Sequence, residues 1–338
     1  MTLYLGDLNT RARGLGTRLL SPDALGRMAR TKSMFALQRE MRSLGLVSSE
    51  GLMTPAALEA EVRGRAAGLL AILVRWCRDA RQPVLAVLLE DEERRAIQAL
   101  LRGAEQAASS ESKMSGLLPT TNLPERALRT LAAQPTMEDV VRMLLLWGHP
   151  LAPSLTKALG GTRPSLLEVE AALQRAFAER ARARAHRGGK ELASYVAQTI
   201  DLMNLWTVLL HFPERASELA DLTFIDGGQT IDRELFDELL GQDSIQDVQR
   251  VAGKAFQGSS IGAALSVQGR PLSSLEGAVL GAQLQEQRRA ARTRPEGPAP
   301  LVLFFLELRA ELLNLRRIIW GKALEAPAAL VESEMVGT

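Results

Sequence analysis

One cysteine, three histidines and an aromatic content of 4% leave this 338-residue chain short of the side chains that carry most site chemistry. With Cys77 alone no intrachain disulfide can form, which fits a reducing compartment. His149, His186 and His211 are scattered and Cys77 has no cysteine partner, so no transition-metal set stands at ligand spacing. Apolar runs such as Pro83–Leu89 and Leu301–Leu306 fall far below the roughly 18–20 residues that cross a bilayer. Met1–Leu5 is too short for a signal-peptide core, and Asp7, Arg11 and Arg13 follow at once. The expectation is a soluble cytoplasmic protein, able to dock on a membrane complex. A net charge of +2, from 41 basic and 39 acidic residues, offers no global pull towards a polyanion.

Catalytic motifs are equally thin. Gly258-Ser-Ser-Ile-Gly262 has the G-x-S-x-G spacing, but that motif needs a strand before it and a histidine after it. The last histidine, His211, lies upstream, and Asp247–Phe256 reads as helix. Gly188-Gly-Lys190 and Gly253-Lys254 lack both the earlier glycine and the following Ser or Thr of a phosphate loop. Gly14-Leu-Gly16 lacks the third glycine of a dinucleotide fingerprint. The acids Glu90-Asp-Glu-Glu93 read as a solvated helix face. The sequence argues against an enzyme and calls for no cofactor.

What the chain does have is self-similarity. Glu311-Leu-Leu-Asn314 and Asp201-Leu-Met-Asn204 each place an acid three residues before an Asn inside a helical apolar pattern. Glu93-Arg-Arg-Ala96 is a degenerate third copy, with Ala where Asn is expected. Ser33, Thr136 and Ser244 stand as N-caps before periodic runs, and Asp139 and Asp247 resemble capping-box acids. Leu58-Glu59, Leu167-Glu168 and Leu275-Glu276 recur in the same order, with Pro55, Pro164 and Pro271 just upstream. Such periodicity predicts three related helical units, at 1–110, 111–219 and 220–338, in an all-α protein. Leu222–Ile225 could form a short extended piece.

On the final helix of the third unit, Phe305, Leu308, Leu312, Leu315 and Ile319 share one stripe, with Glu311 and Asn314 beside it. The acid and Asn pairs therefore read either as polar ties between packed helices or as partner contacts. Arg75, Arg184 and Arg292 each follow their unit's Leu-Glu glutamate by 16 residues, with Arg180 and Arg288 nearby. These basic positions are either solvated helix ends, favoured by the helix dipole, or a docking surface for acidic loops or lipid headgroups. Trp76 beside Arg75 is the one aromatic adjacent to them, too few for a nucleic-acid stacking platform.

The acid-x-x-Asn-Leu helices and the opening Tyr4-Leu-Gly-Asp-Leu-Asn9-Thr-Arg11-Ala-Arg13…Leu19-Leu20-Ser21 resemble the C-subunit family of the V-type ATPases, whose eukaryotic counterpart is the d subunit. The resemblance covers nearly the whole chain. It implies three helical bundles in a pseudo-threefold funnel, non-catalytic and present once per complex. Such a protein sits on the cytoplasmic face of the proteolipid ring and receives the D and F subunits of the central shaft, so that torque passes between ATPase head and ring. The alternative from the residues alone is a helical-repeat adaptor for a soluble protein or nucleic acid.

Overall fold

The structure is a computed structural model that describes residues 5–77, 81–161, 165–211, 221–267 and 269–337. Tyr4 and Pro164 lie outside the described residues. Every regular element among the described residues is a helix. After α1 (Gly6–Gly16) come two short helices, α2 (Pro22–Ala29) and α3 (Met34–Ser43), then two long ones, α4 (Pro55–Trp76) and α5 (Gln82–Glu105). A single turn, α6 (Ser110–Met114), leads to α7 (Glu125–Ala132), α8 (Met137–Leu146) and α9 (Ala152–Leu159), then to the long α10 (Leu166–Gly188) and α11 (Lys190–Leu210). The order repeats in α12 (Arg233–Leu240), α13 (Ile245–Ala255), α14 (Ser260–Leu265), α15 (Leu272–Thr293) and α16 (Ala299–Ala323), and α17 (Ala328–Ser333) closes the chain.

Local chemistry explains where these helices begin. Ser33, Thr136 and Ser244 accept the backbone N–H groups of Ala36, Asp139 and Asp247, satisfying donors that a first turn leaves unpaired. Asp139 and Asp247 do not complete the box. Each instead accepts its cap's own hydroxyl, at 2.8 and 2.6 Å. One methylene longer, Glu168 reaches back to the Ser165 N–H at 2.9 Å and closes a full capping box. Pro55 occupies the first turn of α4 and Pro271 the N-cap of α15. The segment Leu222–Ile225 is not a strand. Its carbonyls are taken by side chains, Leu222 by Arg175 and Ile225 by Asn204.

The short helices pack by a common rule. α7 and α8 pack on α5, α12 and α13 lie near α11, and α2 and α3 pack on α16. Each pair of short helices is thus seated on a long helix other than the two that follow it in the chain. The apolar clusters show the same arrangement. Leu202, Leu205 and Val208 of α11 join Phe236, Val248 and Ile261. Leu315, Ile318 and Ile319 of α16 join Leu25, Met28 and Met41 near the N-terminus. The largest cluster runs from Leu5 to Val336 and centres on α5 and α10. Burial of this kind stabilises by about 25 cal/mol per Å² of apolar surface, and here the surface covered belongs to segments distant in sequence.

Candidate functional site

The acid on each last helix holds the segment leading into the next set of short helices. Asp201 accepts the N–H groups of Gln229, Thr230 and Ile231, just before the Asp232 cap of α12. Three residues on, Asn204 bonds both backbone groups of Ile225, at 2.9 and 3.0 Å. Glu311 accepts the Leu20 N–H at 2.5 Å, one residue before the Ser21 cap of α2, and pairs with Arg65. Asn314 bonds both backbone groups of Val336. In the first unit Glu93 accepts from Thr120 and Asn122 and lies 3.3 Å from the His149 ring. Burial pushes the Asp201 carboxyl up, against the pull of its backbone donors, and burial likewise raises Glu311 against Arg65. Gly228 is required by this arrangement, because a Cβ there would stand 2.1 Å from Asp201 Oδ1.

The acidic run of α5 departs from expectation. Glu90, Asp91, Glu92 and Glu93 are all buried, none more than 5% exposed. Successive helical residues turn by about 100°, so four in a row face in four directions, and in each direction a partner meets the acid. Glu90 takes Arg180 and Arg184 of α10. Asp91 takes Arg94, Arg95 and, from α16, Arg309 at 3.0 Å. Glu92 takes Arg309, and Glu93 holds the segment before α7. A solvated face is excluded because α5 is covered on every side. Burial alone would raise the Asp91 carboxyl, yet the charges of Arg95, Arg94 and Arg309 hold it well below the usual carboxylate range. Nearby, burial and then the Asp91 charge push the Tyr195 phenol up to about 12.

The basic positions divide. Arg180 and Arg184 are engaged with Glu90 and fasten α10 to α5. Arg288 lies 3.3 Å from Glu307, and among the described residues the Arg292 guanidinium reaches the Arg288 carbonyl alone. Arg75 is exposed in the last turn of α4, as is Arg292 in that of α15. Between α5, α10, α11 and α15 lies a cavity of about 350 Å³, lined among others by Arg95, Arg102, Glu170, Tyr195, Trp206 and Glu276. Helices from the first, middle and last thirds of the chain reach its wall. Ser259, within the G-x-S-x-G spacing, caps α14, and the preceding element is the helix α13. Asn9 anchors α1 to the segment between α15 and α16 through the carbonyls of Pro295 and Gly297.

Sequence reasoning found the acid and Asn pairs but missed Arg309, Arg65 and the acids of α5. One signal was present: apolar residues flank those acids on all faces, from Val84–Leu89 and from Ala96–Leu101, and a helix apolar all round is buried.

These features define a protein that is all-helical among the described residues and whose buried charges fasten long helices around a cavity. No helix among the described residues is long and apolar enough to cross a membrane. The chain belongs to the ATP synthase (C/AC39) subunit family, whose model matches residues 8–334. It is similar to the C subunit of the A-type ATP synthase of Methanocaldococcus jannaschii, with 25% identity over 284 residues, 80% of this chain and 69% of that protein.

Proposed function

We propose that this protein is the central-stalk component of an A/V-type ATP synthase or ATPase, peripheral to the membrane, non-catalytic and present once per complex. In this reading the three units turn about a pseudo-threefold axis. The D and F subunits of the shaft enter where the long helices converge, and the opposite rim rests on the proteolipid ring. The observation that carries the reading is the exchange of short helices between units. A part that transmits torque must not shear at its joints, and here the short helices of the first unit are seated on the last long helix of the third.

Arg75 and Arg292, both exposed, are the basic positions proposed to contribute to docking. Copurification of the full chain with the D, F and ring subunits tests the assignment, and capture of none of them would refute it. The double variant Arg75→Glu/Arg292→Glu should assemble more weakly at low ionic strength, with the difference narrowing as salt rises. Equal assembly of variant and parent at every salt concentration would remove these residues from the interface.

A further inference from the structure

Three large apolar side chains in succession stand in solvent at the C-terminal end of α8. Leu145 is 45% exposed, Leu146 72% and Trp147 43%. Three consecutive helical residues sweep about 200° of the circumference, so this end turns a broad arc centred on Leu146 away from the body of the protein. It projects, held at its base by the buried Leu144 and His149. Gly148, with φ +68°, closes the turn: its N–H bonds the Leu145 carbonyl, and the His149 N–H bonds that of Leu144.

The same turn ends α3. Gly45 also has φ +68°, its N–H bonds the Arg42 carbonyl, and the Leu46 N–H bonds that of Met41. The positions matching Leu145 and Leu146 are there Arg42 and Ser43, both exposed. The turn therefore forms with polar residues, and the fold does not demand the apolar pair in α8. Exposed apolar clusters that the fold does not require mark contact with something outside the chain.

Charge narrows the choice of partner. From residue 140 to 167 the sequence contains no Asp or Glu, while Arg142 and Lys157 are exposed on the flanks. Arg142 has Asp139 at 3.1 Å, a pair on the helix surface and 67% exposed on the arginine side. A tip three residues wide is far below the roughly 1,000 Å² a stable protein interface buries, and its flanks are polar. A lipid interface needs no complementary groove. Leu side chains enter the acyl boundary, Trp settles at headgroup depth, and Arg or Lys meets the phosphates.

We propose that the Leu145-Leu146-Trp147 tip of α8 inserts into the headgroup region of an anionic lipid surface. The inference rests on the rotor reading only for the presence of a membrane nearby. The test is cosedimentation of the full-length protein with phosphatidylcholine vesicles, with and without phosphatidylglycerol. Binding is expected to the anionic vesicles above the neutral ones. Leu145→Ser/Leu146→Ser, which copies Ser43 of α3, should weaken it at least about tenfold, the loss expected when a buried leucine is removed from an apolar phase. Leu145→Met/Leu146→Met, which stays apolar, should bind as the parent does. Absence of parent binding, undiminished binding by the serine variant, loss by the methionine variant, or equal binding to both vesicle types would each overturn the proposal. Copurification with the shaft is a separate readout. Failure on vesicles with the shaft still captured refutes the tip alone, and the reverse result refutes the rotor reading alone.

Discussion

At the scale of single residues, the buried polar groups make the sharpest demands. Asn204 spends its amide on both backbone groups of Ile225, so Asn204→Leu would leave a buried N–H and C=O unpaired. A loss of about 1–3 kcal/mol is expected, read from the midpoint of a denaturant titration. Asn314→Leu should behave alike, through Val336. Gly228→Ala places a methyl against the Asp201 carboxylate and should cost about 1–3 kcal/mol by overpacking, measured the same way. Asp91 sets a pH dependence. Its carboxyl titrates below the ordinary range in the folded protein, so the unfolded chain takes up the proton first as pH falls. The stability it contributes is complete above the ordinary carboxylate range and is lost on acidification towards its folded value. Asp91→Asn should therefore be less stable at neutral pH and should show a flatter loss of stability below about pH 4. Parallel curves for variant and parent would contradict the assignment.

At the scale of elements, the start signals were legible because capping is local: a hydroxyl and an N–H three residues on settle the geometry. The same locality explains the recovery of the acid and Asn pairs as helix neighbours. What they bind was not legible, since Ile225, Thr230 and Val336 lie beyond the helix that carries the pair. The acids of α5 show the limit most clearly. A charge run takes its meaning from whether other helices cover it, and α10 and α16 stand far away in sequence. The engaged Arg180 and Arg184 teach the same lesson, as their partner Glu90 lies about ninety residues upstream. Glu90→Gln should loosen α10 from α5, seen as faster amide exchange along Ala176–Ala185 with little change in α12–α14. Uniform exchange across the chain would argue against so local a role.

At the scale of the whole molecule, the recurrence of helix order was readable from landmarks spaced by about a third of the chain. The exchange of short helices was not, because periodicity reports what is alike and not which copy touches which. That exchange has a direct consequence for autonomy. Residues 220–338 expressed alone would expose Phe236, Val248 and Ile261 without the α11 residues that complete their cluster. This fragment is expected to lack cooperative unfolding, whereas the intact chain should melt in one transition detected alike by far-UV dichroism and tryptophan fluorescence. An independently folded fragment would show the seams to be dispensable.

On α11 and α16, recognition is directed at peptide groups. Asp201 and Glu311 read N–H donors, and Asn204 and Asn314 read a donor and acceptor together. A grip on the main chain is indifferent to which side chain the gripped residue carries. Away from Gly228, where any Cβ would meet Asp201, the receiving segments are thus free to drift in composition while the joint persists. Proline is the exception, since it has no hydrogen to offer at Leu20, Ile225, Ile231 or Val336.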